Sequence, residues 1–289
     1  MSHHTMQKLV VRMLFDEAFV AAVHAAPEQA LAHLELTEQE RAQLLSIDPR
    51  AWRHDAMRRK RTLRTLVEEF KISTTIALAA TRSLASLEQF FSSSFFHQAV
   101  QSRGSLGLSF AEFLLDGCKR ETWSAPQLPD IIRLESALAS CRRALAHEGA
   151  YEVGALPTTI SDRTYIKLAP GFGVGSYQAN VIAAIQQVEQ YLFEVSLMPA
   201  MALCDDAPRL PELVAVEPKQ KTYLLFSPGA TGITLTEIDK ASFLVLYEAR
   251  RPIEIKSLLA RAQTSGVNAR RAQEVLSEWL EAGGLMIVD

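Results

Sequence analysis

The feature that most constrains this chain is a change of texture near Tyr151. Before it, helix signals follow one another with little else between them. Thr37 and Glu40 have the spacing of a capping box, in which each side chain satisfies a free backbone amide at a helix start. Asp48 and Pro49 supply a cap and a first-turn proline for a long segment through Ala51 to Phe70. Ser109 and Glu112 repeat the capping-box spacing, and Gly117 is the expected stop of that short helix. Pro129 and Asp130 open a run in which Ile132, Leu134, Leu138, Cys141 and Leu145 recur at helical spacing until Gly149.

After Tyr151 the runs TYIKLA, LVAVE and TYLLFS are short, β-branched or aromatic, and bounded by Pro, Gly and Ser, so strands are expected. A helix is expected between them, from about Tyr177 to Glu194. The last segment reads as a helix capped at Thr236, a second opened by Pro252, a third over VNARRAQEVLSEWLEA and a strand over GGLMIV. That is the order of a winged helix-turn-helix unit. The expected class is therefore α+β: an all-helical domain over residues 1–150, then a winged-helix-like α+β domain over residues 151–289. The 289 residues, 48% of them hydrophobic, suit two domains of the usual size, roughly 100–200 residues each.

Composition narrows the function classes. Charged residues make up 22% of the chain and the mean hydropathy is +0.04, values of a folded globular protein and not of a disordered one. No apolar run reaches the roughly 18 residues of a membrane span, and acids interrupt the place of a signal-peptide core, so a cytoplasmic location is expected. Cys118, Cys141 and Cys204 are odd in number and far apart, which excludes a disulfide framework or a CxxC metal pair. Residues 1–150 hold 18 Lys and Arg against 17 Asp and Glu, and residues 151–289 hold 12 against 16, for net charges of +1 and −4. Neither half has the basic excess of a nucleic-acid binder.

Local catalytic motifs are missing as well. GFGVGS, residues 171–176, places glycines as GxGxG and not as the GxGxxG of a dinucleotide loop, so a turn is expected there. The histidines form no HExxH or His-x-His pair, and no GxSxG elbow is present. Asp205 and Asp206 beside Cys204 read as an exposed loop before Ala-Pro. The run from Arg50 to Arg64 holds seven basic residues and one acid. It reads as a solvated helix face or as a contact surface, and Arg53, Arg58, Arg59 and Arg61 are its candidate partner-binding residues, because guanidinium groups make planar, multi-donor contacts.

Two stretches carry a family resemblance. LRTLVEEFKISTTIALAATRSLASLEQFFSSSFF followed by LGLSFAEFLLDGC, with Phe70, Phe90, Phe91 and the Phe110 to Leu115 stretch, resembles the helical domain of partner subunits of multinuclear non-heme iron enzymes in peptide natural-product pathways, such as those of methanobactin and 3-thiaglutamate. TYIKLAP, TYLLFSPG and the winged-helix-like end resemble the same family's leader-recognition domain. The resemblance implies a non-catalytic subunit with no cofactor of its own. Iron would sit in the partner enzyme, which oxidises a cysteine of a ribosomal precursor peptide while this chain holds the leader. A leader bound as an added strand needs an exposed sheet edge. Tyr165 and Lys167 on one run, or Tyr223, Leu225 and Phe226 on another, are the expected peptide-binding residues. The family's helical part has also been described as DNA-binding, so a winged-helix transcriptional regulator is the alternative. Its reading helix would carry Asn268, Arg270 and Arg271.

Overall fold

The computed structural model describes residues 3–52, 56–149, 160–195, 208–215 and 217–288. The protein is mixed α+β, with a helical N-terminal region and two small antiparallel sheets. It divides into two compact units, residues 1–128 with 188–211 and residues 129–187 with 212–289.

The first unit opens with α1 (His3–Phe15), α2 (Glu17–Ala25), α3 (Pro27–Ala30), α4 (Glu38–Ser46) and α5 (Pro49–Trp52). It continues with α6 (Ala56–Glu69), α7 (Lys71–Thr81), α8 (Ala85–Glu88), a 3-10 turn (Gln89–Ser92), α9 (Ser94–Ser102) and α10 (Leu106–Lys119). The capping box forms as expected: the Glu40 amide donates to the Thr37 hydroxyl at 3.3 Å and the Thr37 amide to Glu40 Oε2 at 2.8 Å. The second expected box does not. Ser105 caps α10 instead, accepting from the Leu108 amide at 3.2 Å, because the buried face of that helix already begins at Gly107. Gly117 does not stop α10 either; it lies buried inside the helix, where any Cβ would overlap the Trp123 ring. An aromatic cluster fills this unit, with the Phe90 ring 5.1 Å from Phe110, 5.5 Å from Phe96 and 5.6 Å from Phe113. Phe70, Phe90, Phe91 and Phe110 are fully buried.

The second unit begins with α11 (Leu128–Glu148), closed by Gly149 at φ 76°. There follow β1 (Tyr165–Leu168), β2 (Gly173–Ala179), α12 (Val181–Glu194), whose residues from Val188 on belong to the first unit, β3 (Glu217–Gly229) and β4 (Gly232–Glu237). The chain ends with α13 (Lys240–Glu248), β5 (Ile253–Glu254), α14 (Ile255–Thr264), α15 (Ala269–Glu281) and β6 (Leu285–Val288). One sheet has the order β5-β1-β6 and the other β2-β3-β4, all pairs antiparallel.

Several expected boundaries shift for local reasons. Tyr177 is strand, not helix: β2 runs on to Ala179, Asn180 takes the left-handed conformation at φ 72°, and only then does α12 begin. The GFGVGS turn shrinks to Gly171 at φ 80°, and Gly173 to Ser176 extend into β2. LVAVE is not a strand over residues 213–215, since side chains there take the place of a ladder: the Val214 amide donates to Gln187 Oε1 at 2.7 Å and Asn180 Nδ2 to the Ala215 carbonyl at 3.1 Å. Thr236 belongs to β4, and α13 is capped by Asp239, which accepts from the Ser242 amide at 2.7 Å. Cys141 is buried and Cys118 half-buried; Cys204, Asp205, Asp206, Arg53 and His54 lie outside the described residues.

Candidate functional site

The sheet β2-β3-β4 has two outer edges, and the hydrogen-bond phase shows which backbone groups each presents. Ile238 N–H donates to the Tyr223 carbonyl at 2.9 Å, just beyond the β3–β4 register. In an antiparallel ladder bonded and non-bonded pairs alternate. Thr236 and Thr234 therefore bond inward, to Leu225 and Ser227, while Ile233, Leu235 and Glu237 direct N–H and C=O away from the sheet. Pro228 has no N–H to give and sits opposite Ile233, in a pair that needs none. Among the described residues, no hydrogen bond engages the outward groups of β4. Apart from half-buried Ile233, every residue of β4 is exposed, Leu235 to 38%.

The opposite edge is buried or half-buried, and one of its outward groups is met by a side chain. The same alternation turns the Gln178 amide outward from β2, and it donates to Asp130 Oδ2 at 2.6 Å. Asp130 lies in the first turn of α11, is 5% exposed, and also pairs with Arg133. Residues of α11 cover this side of the sheet closely: a Cβ on Gly173 would meet Cys141 Sγ, and one on Gly171 would meet Leu145 and Pro228. Burial pushes the Cys141 thiol up to about 11. It also pushes the Tyr177 hydroxyl well above its ordinary range, with the Asp130 and Cys141 charges adding to the effect.

This geometry corrects both expected edges. β3 lies between β2 and β4, and β1 lies between β5 and β6. On one side of β1 the Ala169 amide bonds Gly284 O at 3.0 Å, and on the other the Leu168 amide bonds Ala249 O at 2.7 Å, so neither side can receive a peptide. Leu225 is 3% exposed and Phe226 fully buried, on opposite faces of a strand covered on both. Tyr223 is half-buried, its ring 4.8 Å from Phe243. Tyr165 is 51% exposed, and Lys167 is half-buried with Nζ 3.9 Å from Glu148. These five residues lie in two different sheets, all on central strands. The edge residues Ile233, Leu235 and Glu237 were missed because GITLTE is short, starts with Gly and leads straight into the following helix. Its one-residue alternation after the Gly229 to Gly232 turn was the available signal. β6 is also an outer strand, but its residues are buried or half-buried.

The basic run is partly consumed within the fold. Arg59 pairs with Glu17 at 3.3 Å and lies 5.2 Å over the Phe91 ring, and Arg58 lies 5.9 Å over Phe15. Both are half-buried, whereas Lys60 and Arg61 are exposed. On α15, Arg270 bonds Glu274 at 2.9 Å, and Arg271 bonds Asp239 at 2.9 Å and Glu278 at 3.3 Å. Among the described residues no group of three or more His, Cys, Asp or Glu is placed to hold a metal ion, and no helix is long and apolar enough to cross a membrane. No protein-family profile and no curated protein sequence matches this chain.

Proposed function

We propose that this chain is a non-catalytic partner subunit that captures a leader peptide as an added strand on β4 and so presents the attached core cysteine to a multinuclear iron oxidase. The observation that carries the reading is the unpaired outer ladder of Ile233, Leu235 and Glu237. A strand added there gains main-chain hydrogen bonds, and Leu235 gives it an apolar contact. Tethering by the leader then raises the local concentration of the cysteine at the partner's iron site, so weak contacts near the reacting residue suffice.

The C-terminal part fits a winged-helix-like module in this reading. Helices α13, α14 and α15 share one apolar core with Ile166 of β1 and Leu285 of β6. The order helix, short strand, helix, helix, strand is present, with β1 supplying the middle strand of its sheet. A DNA-reading α15 is disfavoured by its own acids, because Glu274 and Glu278 already hold Arg270 and Arg271 and would repel phosphates. Lys60 and Arg61, both exposed on α6, are cations through which the basic helix would meet the enzyme.

The test uses a fluorescent synthetic leader of a ribosomal precursor peptide. Leu235→Pro removes one outward donor and leaves the inner ladder intact, so it should abolish leader binding in a protein that still unfolds cooperatively. Leu235→Thr keeps the donor and should retain binding. Unchanged affinity in a folded Leu235→Pro variant would refute strand addition on β4. Copurification with a co-expressed multinuclear iron oxidase, followed by iron analysis, tests the partnership, and charge reversal at Lys60 and Arg61 should weaken it.

A further inference from the structure

β4 lacks the devices that keep an exposed strand from meeting its own copy. From Gly232 to Glu237 it holds no Lys and no Pro, its register with β3 runs without a bulge, and its one charge, Glu237, stands at the end. Outer strands are usually blunted by such features, and one without them is a template for a further strand.

The strand is also complementary to itself. Two copies set antiparallel about a two-fold axis at Leu235 bring Leu235 opposite Leu235 of the second copy, and Ile233 opposite Glu237 of the second copy. These are the residues whose N–H and C=O point outward, so each donor meets an acceptor. Leu235, 38% exposed, is then covered by its own counterpart. Thr234 stands opposite Thr236 of the second copy in the intervening pairs, where side chains approach most closely. The two Glu237 carboxylates end roughly 13 Å apart along the strand, beyond the Debye length of about 8 Å at physiological salt. A register centred on Glu237 would instead set them directly opposite each other, which is unfavourable.

We propose that the leader-free chain pairs with a second copy of itself through β4, joining the β2-β3-β4 sheets of both copies, and that a bound leader releases the monomer. The self-pairing stands on the strand's own geometry; the release rests on the leader reading above. β4 supplies 6 residues a side, where a standard interface uses about 20–30, so the pair is weak, concentration-dependent and open to displacement by a peptide.

Sedimentation equilibrium of the full chain, from low micromolar to near-millimolar concentration, should show a reversible monomer–dimer equilibrium. Leu235→Lys and Leu235→Glu each set like charges across the axis and should weaken the dimer about tenfold. An equimolar mixture of the two variants should regain it, because opposite charges then face each other. Leader added to the parent should convert the dimer into a one-to-one complex. A parent that stays monomeric at every concentration overturns the proposal, and leader binding to that same monomer then decides the leader reading separately. A dimer unchanged in both charge variants forms elsewhere on the protein and overturns it as well. A dimer that bound leader leaves intact overturns the release.

Discussion

β2 and β4 are the two outer strands of one sheet, yet β2 is buried or half-buried along its length while β4 is largely exposed. On β2 the outward amide of Gln178 is met by a buried carboxylate, and α11 packs over the strand. On β4 the outward groups of Ile233, Leu235 and Glu237 meet no protein group among the described residues, and the side chains around them are exposed. Exposed edges invite uncontrolled pairing, and proteins usually blunt them with charge, bulges or cover. β2 carries both a register shift between Gln178 and Ala179 and a cover. That difference in burial, with one outward amide of β2 already engaged, is what favours β4 over β2 in the proposal of strand addition.

The contrast can be broken or sharpened by substitution. The largest effect is expected in the strand between the two edges: Phe226→Ala should cost about 3–5 kcal/mol in chemical denaturation, because a fully buried ring is lost from a face covered by α11. Next comes the β2 edge. Asp130→Ala leaves the Gln178 amide without its acceptor and should cost about 1–3 kcal/mol, with faster hydrogen exchange at Gln178. A variant as stable as the parent, with exchange unchanged, would mean that the carboxylate does not engage that amide.

A smaller effect is expected where β4 hands over to α13. Asp239→Ala removes the cap of α13 and should cost about 1 kcal/mol. Burial opposes ionisation of Asp239, but the Ser242 amide and the Arg271 guanidinium outweigh it and hold the carboxyl below its ordinary value. A depressed folded value makes this contribution fully present above the ordinary aspartate value, about 3.9, and lost as pH falls through the folded one. The gap between parent and Asp239→Ala should therefore narrow in acid, and a gap constant with pH would show that the charge is immaterial. The smallest effect belongs to the open edge: Leu235→Thr should change stability by less than about 0.5 kcal/mol. A loss comparable to that of Phe226→Ala would mean that Leu235 is covered after all.

What the sequence determined by itself is local. Thr37 with Glu40, and Gly149 after α11, act within one helical turn, so their signals stand in adjacent residues and are read directly. The same holds for the strand character of TYIKLA and TYLLFS, and for the change from helices to a mixed α+β region. The sequence did not place the edges. β1 is central because β5 and β6 arrive from about 90 and 120 residues further along, and the outward Gln178 amide of β2 is met by an aspartate 48 residues before it. Alternation tells which side chains share a face, but the hydrogen-bonding sides of a strand are alike in sequence, since backbone amides and carbonyls are common to nearly every residue. Which of them stays unpaired was decided by the tertiary structure alone, through the partners that long-range packing delivers to each strand.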